Sequence, residues 1–292
     1  MHVKTEAGGG PSPRPSAEIA GLDPDRDYQR IVFLLSYQLF PWDVERALEF
    51  ALLRTYAIPS ISGLLARTGE FTARARKRYD DTELLLAEIG EHGFDDPRAG
   101  EALSRINAMH GRFRIAGEDF LYVLSTFVFD PIDWMAAYGR RPFTGLEQRA
   151  WLRSYQELGR RMGIADIPAT LDAFRAFRDR YEARRMTFAP SNREVSGVTI
   201  DLVLAMFVPC WLFPLGRPAA LSLCDGRLVE ALGWRRPPRA LAALVRGAMR
   251  LRGRALRLLP EPRRLRRITT RRTPTYPHGY EIARLGTFGG LD

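Results

Sequence analysis

The chain is short of the residues from which most recognisable active sites are built. Among 292 residues there are two cysteines and four histidines. Cys210 and Cys224 supply neither a disulfide framework nor a zinc-ligand spacing, and they suit a reduced, intracellular setting. His2 lies in the N-terminal tail, His92 beside Gly93 and His278 in a C-terminal turn, so His110 is the histidine set inside an apolar helical pattern. No Glu-x-x-His pair and no His/acid cluster of metal-ligand spacing occurs, which argues against zinc and di-iron centres. No Gly-x-Ser-x-Gly elbow occurs either, which argues against a serine hydrolase.

Period-two alternation is scarce and helix-period segments are everywhere, so the expected class is all-α, a single large helical domain. Residues 1–23 have no apolar core and no twin arginine and are rich in Gly, Pro and Ser. They read as part of a disordered tail, residues 1–24, and not as a signal peptide. A clean membrane span is missing too. The nearest run, 198–215, is broken by Asp201, Pro209 and Pro214 and reads as a buried core helix. The expected location is cytoplasmic, with membrane association left open.

What the chain does have is a concentrated positive charge. Net charge is +10, but residues 235–272 hold fourteen arginines against Glu261 alone, a local +13 that leaves the remainder at −3. The basicity therefore belongs to an Arg-rich extension, 233–292, that packs on or flanks a helical domain at 25–232. Its amphipathic helix follows Pro237-Pro238, with Leu241, Leu244, Val245, Met249, Leu251 and Leu256 among the arginines. Such a segment can be a solvated face, lie on an anionic membrane surface, or bind phosphates of a nucleic acid. Aromatic stacking residues are nearly absent from it, so the membrane ranks above nucleic acid, and no nucleic-acid partner is expected.

Helices are expected over 28–39, 42–57 and 61–69. After a charged connector at 74–81, Thr82 is expected to cap a helix running through Gly90. Asp96-Pro97 starts the helix that carries His110, and the apolar helix 120–129 should end or kink at Pro131. Thr144 with Glu147 is a capping-box signature.

In the segment 98–113, Leu103, Ile106, His110 and Phe113 share one helical face, the core-facing one. Asn107 sits one turn before His110. Arg105 either pairs with Glu101 one turn earlier or serves a bound group. The residues alone leave His110 as a satisfied core histidine or as a ligand. A single inward imidazole among apolar side chains suits axial ligation of a haem iron, which needs one protein nitrogen, apolar walls and basic groups for the propionates.

A pattern across many positions then points to a family. Arg105-x-x-x-x-His110-Gly111 and Glu118-Asp119-Phe120-x-Tyr122-x-Leu124-Ser125 are followed by Pro131-Ile132-x-Trp134, Arg141, Glu147, Gly159-x-x-Met162-Gly163-Ile164 and Ile167-Pro168. Over residues 30–190 this resembles the MpaB-type oxygenases, relatives of latex clearing protein, the rubber oxygenase. The resemblance implies a globin-like all-α fold, haem b, and oxidation or cleavage by dioxygen of a carbon–carbon double bond in an apolar isoprenoid-type substrate. Rubber oxygenases carry a proximal histidine on the apolar helix, and the corresponding residue here is Leu124. Either this branch handles haem differently or His110 takes that ligand's place, the favoured reading, with Arg105 and Asn107 beside it and Met109, Phe113, Phe120, Leu124 and Phe127 as the cofactor wall. The alternative is a haem-less branch acting as a peripheral membrane or interaction protein.

Overall fold

Prolines and short polar caps set the starts of the helices. The computed structural model describes residues 14–286 and, among these, contains α-helices, short 3-10 and π turns and no strand. The first three helices are α1 (Pro15–Ala20), α2 (Tyr28–Leu34) and α3 (Pro41–Thr55), with a π-helical turn over Leu35–Leu39 leading into α3. The next four are α4 (Pro59–Arg67), α5 (Glu70–Ala73), α6 (Ala75–His92) and α7 (Pro97–His110). There follow α8 (Gly117–Tyr138), α9 (Gly145–Arg161), α10 (Leu171–Arg185) and α11 (Pro190–Ala205). The chain finishes with α12 (Phe213–Leu221), α13 (Gly226–Ala231) and α14 (Arg239–Arg257). Pro41, Pro59, Pro97 and Pro190 occupy first-turn positions, where a missing N–H costs nothing. Thr144 and Glu147 form the reciprocal capping box at the start of α9, and Asp96, Thr170 and Asp225 accept from backbone amides at theirs.

The expectation of one all-α domain holds, and α8 is its axis. It packs against α3, α9, α10 and α14. By length and composition α8 would be long and apolar enough to cross a membrane, but more than half of it is buried within the bundle. Pro131 does not end α8, since the helix runs on to Tyr138. The proline removes the N–H that would reach the Phe127 carbonyl. The Trp151 indole of α9 donates to that carbonyl instead, at 3.1 Å, so the orphan acceptor becomes an interhelix bond.

A buried ionic junction ties α8 to its neighbours. Arg54 of α3 donates to Asp130 on α8 (3.0 Å), to Glu182 on α10 (3.3 Å) and to Asp225 at the cap of α13 (2.7 Å). Tyr122 of α8 stacks on Tyr181 of α10 at 4.5 Å and donates to Glu182.

Four expectations need correction. Residues 14–24 are not a featureless tail: α1 buries Ile19, and the Ser16 amide donates to Glu261, while residues 1–13 lie outside the described residues. The segment 74–81 is no connector but the first two turns of α6, held by Arg76–Asp80 and Lys77–Asp81 pairs one turn apart. Thr82 is correspondingly inside that helix, donating to the Arg78 carbonyl, and caps nothing. The run 198–215 is not one buried helix, because α11 stops at Ala205 and Phe207, Trp211 and Leu215 stand 55, 73 and 70 % exposed.

The Arg-rich segment straps the bundle. Along α14, Arg246 donates to the Ser222 and Cys224 carbonyls, and Arg252 pairs with Asp43 of α3. Gly253 seats against the end of α8, where a Cβ would lie 2.5 Å from the Tyr138 carbonyl oxygen. With two arginines and a glycine turned inward, leucines are left outside: Leu244, Leu251 and Leu258, seven residues apart, are 69, 66 and 88 % exposed. Beyond α14 the chain is pinned along α6. Glu91 accepts from Ile268 and Thr269, Asp80 and Asp81 from Thr275 and Tyr276, and Glu88 from Tyr280.

Candidate functional site

α7 starts at the Asp96 cap and Pro97 and buries Ala99, Ala102 and Ile106 against α6 and the C-terminal segment. It ends at His110, so Phe113 is not on the helix. Its amide closes a turn by donating to the His110 carbonyl at 3.0 Å. The His110 ring meets the edge of Phe120, at the opening of α8, at 5.2 Å with the planes at 89°. His110, Phe113 and Phe120 therefore share the corner between α7 and α8.

Two properties set this imidazole apart. Its Nδ1 is buried and has no hydrogen-bond partner within the protein. Such an orphan costs about 1–3 kcal/mol and calls for a reason. Its pKa is pushed down to about 4, first by burial and then by the guanidinium of Arg78 on α6. The ring is neutral at neutral pH, which is the form that binds a metal ion. Sequence reasoning missed Arg78, because it lay in a stretch read as connector. Only the i,i+4 charge pairs of that stretch carried a signal that it was helical.

The other expected site residues disperse. Arg105 Nε donates to the Leu285 carbonyl at 2.6 Å. Met109 packs where a side chain at Gly286 would otherwise lie. Both therefore face the C-terminal segment. Asn107 donates to the Arg161 carbonyl at the end of α9 (3.0 Å). Leu124 seats on α9 at Gly159, where a Cβ would be 2.6 Å from both Leu124 and Ile167, and Phe127 lies 6.1 Å from the ring of Tyr155. Of the expected cofactor wall, Phe113 and Phe120 stay with His110, whereas Leu124 and Phe127 face α9.

A haem asks for one protein nitrogen, unprotonated and without a competing partner, beside apolar side chains. The orphaned Nδ1 of His110 beside Phe120 supplies a nitrogen of that kind. Among the described residues no group of three His, Cys, Asp or Glu side chains assembles as a multi-ligand metal site. Elsewhere, Glu49 on α3 is a second unusual acid. It accepts from Tyr79 and Arg46 at 2.7 Å each, and burial pushes its pKa up to about 7 despite Arg46. Two surface clefts, of 450 and 590 Å³, lie beside Trp42 and beside Trp234, and His110 lines neither.

Comparison with known proteins identifies the family. Residues 39–254 match the family described as ER-bound oxygenase mpaB/B′ and rubber oxygenase, catalytic domain. The ER-bound oxygenase mpaB of Penicillium roqueforti (strain FM164) is 32% identical over 211 residues, 66% of this chain and 70% of that protein. The ER-bound oxygenase mpaB′ of Penicillium brevicompactum is 30% identical over 242 residues, 77% of this chain and 57% of that protein. The ER-bound oxygenase mpaB of Penicillium brevicompactum is 31% identical over 187 residues, and the chain spans 47% of its length. The matched span runs from the end of the π turn before α3 to the last turn of α14 and includes His110, so this chain belongs to the mpaB/rubber oxygenase catalytic-domain family and is an enzyme of the oxygenase class.

Proposed function

We propose that this oxygenase is haem b-dependent and acts with dioxygen on a carbon–carbon double bond of an apolar, isoprenoid-type substrate. The observation that carries the reading is the neutral, buried and unpartnered Nδ1 of His110. In this reading His110 would hold the haem iron, and Phe113 and Phe120 would keep water from the imidazole. Arg105 and Arg78 supply positive charge for the propionates. Asn107 and Met109 hold α7 against α9 and the C-terminal segment, and Leu124 and Phe127 form the apolar backing one layer away. Bound haem supplies the activation of dioxygen, and the chain's task is to orient and desolvate.

An apolar substrate reaches such a site from a lipid phase. The outward leucines of α14, with Phe207, Trp211 and Leu215 and the neighbouring arginines, support a peripheral contact with an anionic membrane from the cytoplasmic side. One observation favours a second reading, a haem-less branch that works as a peripheral membrane or interaction protein: the Leu124 face, where the family resemblance looks for a ligand, is filled by Gly159 and Ile167.

The Soret spectrum of protein expressed with a haem supply, beside His110→Ala, decides between them. The wild type is expected to carry haem and the variant to lose it or shift its band. Wild type that never carries haem, or a variant with an unaltered spectrum, ends the proposal.

A further inference from the structure

The cleft beside Trp42 is built mainly of arginine. It has a volume of 450 Å³ and lies between the start of α3 and the segment that follows α14. Arg264, Arg266, Arg267 and Arg271 line it with Trp42 and Glu45. Four guanidinium groups against one carboxylate give the lining a charge of +3. Arg271 is already engaged, with Glu45 at 3.4 Å and Glu83 at 2.6 Å. Among the described ion pairs none involves Arg264, Arg266 or Arg267. Arg267 lies over the Phe33 ring at 5.8 Å and Arg266 acts on Glu45 at longer range, so the charge not committed to a close ion pair is on these three side chains.

Their backbone is fixed before any ligand arrives. The Arg266 amide donates to the Tyr37 carbonyl at 2.7 Å, and Gln38 donates to the Arg263 carbonyl at 3.1 Å. Two residues on, Ile268 and Thr269 are held by the Glu91 carboxylate. A loop without regular structure is thus tied at both ends to α6 and to the π turn. A mobile basic tail would pay an ordering cost on binding an anion, and this loop does not. Planar guanidinium forks that line one concave surface suit the oxygens of a phosphate group, which they bind bidentately.

We propose that this cleft is a phosphate-binding site, taking a terminal phosphate or diphosphate group. The proposal is independent of how the chain holds haem. The group can come from a soluble phosphate ester or from a phosphomonoester lipid headgroup, and the two sources are separable.

The test uses the full chain. Sodium pyrophosphate is titrated calorimetrically at 150 mM salt. Sedimentation is then measured with phosphatidylcholine vesicles that contain phosphatidic acid or, at equal charge, phosphatidylserine. The variant R264Q/R266Q/R267Q removes the unengaged charge. A matched control, R239Q/R250Q/R254Q, removes the same charge from α14. The site is supported by pyrophosphate binding that falls at least tenfold in the cleft variant and less than twofold in the control. Added preference for phosphatidic acid over phosphatidylserine assigns a lipid headgroup, and pyrophosphate binding without that preference assigns a soluble ester. No binding by the wild type to either probe, or equal losses in the two variants, overturns the site. Circular dichroism melts of both variants check that the fold survives, and because the three arginines carry no close ion pair and Arg267 only an exposed-type contact with Phe33, a shift of no more than a few degrees is expected.

Discussion

Replacing Arg54 by alanine should be the most damaging single change that leaves every apolar core residue in place. Arg54 is largely buried and holds three carboxylates from three different elements, Asp130, Glu182 and Asp225. Burial by itself would lower the guanidinium pKa, but the three acids outweigh it and raise it well above its usual value. Without Arg54, Asp130 keeps only Arg178 at 3.9 Å, and one of its oxygens already has no hydrogen bond. Removing one partner of a buried ion pair costs about 3–5 kcal/mol. Asp225 is half exposed and adds little to that figure. At ~2–4 °C per kcal/mol for a chain of this size class, the melting temperature should fall by roughly 6–20 °C. The pH dependence identifies the cause. Burial already raises the Asp130 pKa above its ordinary value against the opposing pull of Arg54 and Arg178, and loss of Arg54 raises it further. The penalty is then full at high pH and shrinks as the carboxylates take up protons on acidification. Urea unfolding of Arg54→Ala and Arg54→Met at pH 8 and pH 5 measures both effects, and methionine retains part of the aliphatic stem. A loss below about 1 kcal/mol, the range of an exposed pair, or a loss that grows as pH falls, refutes the reasoning.

Three further changes probe other parts of the fold. His110 has its pKa pushed down to about 4, below the unfolded value of about 6.5, so the stability it contributes is present above pH 6.5 and lost as pH falls through 4; an NMR titration of the cofactor-free protein should find the ring neutral at pH 5.5, and a midpoint near 6.5 would contradict its burial. Glu49 has the opposite sign. An acid raised to about 7 weakens the fold as pH climbs from the unfolded value of about 4.3 towards 7, and Glu49→Gln should flatten the stability profile in that window. Gly253→Ala puts a methyl group 2.5 Å from the backbone oxygen of Tyr138, so α14 must lift. A loss of about 1–3 kcal/mol and faster tryptic cleavage within α14 are expected, and unaltered cleavage would show that the strap tolerates the shift.

Much of the architecture was legible because local signals and tertiary packing agreed. The capping box at Thr144, the Asp96-Pro97 helix start and the apolar run at 120–129 each announce an element that the structure contains. Legibility failed where a residue's partner is distant in sequence. Asp80 and Asp81 look like the acids of an exposed connector until Thr275 and Tyr276 arrive nearly 200 residues later to donate to them. Pro131 looks like a helix stop until the Trp151 indole takes over the carbonyl it orphans. In the strap, composition and orientation diverge. The sequence shows an amphipathic helix with basic and apolar faces, but Arg246, Arg252 and Gly253 take the inward places because carbonyls, Asp43 and the Tyr138 backbone are waiting for them. The leucines left outside are a consequence of that choice.

The candidate site follows the same logic. Spacing alone placed Leu103, Ile106 and His110 on one face, and the structure keeps His110 against apolar rings there. Spacing could not tell which neighbours would close around it, because Arg105, Asn107, Met109, Leu124 and Phe127 each meet a carbonyl, a glycine or an aromatic ring from another part of the chain. Those partners also bear on Leu124. A leucine needs no hydrogen bond and fits a hollow left by Gly159, whereas an imidazole there would face Ile167 and a helix backbone whose own bonds are satisfied. α8 is thus packed as a structural axis at the place where a ligand-bearing helix would need room. Among the described residues, the buried imidazole nitrogen without a partner lies on α7. If this chain holds an iron porphyrin, the packing of α8 against α9 directs it to the α7–α8 corner and to His110.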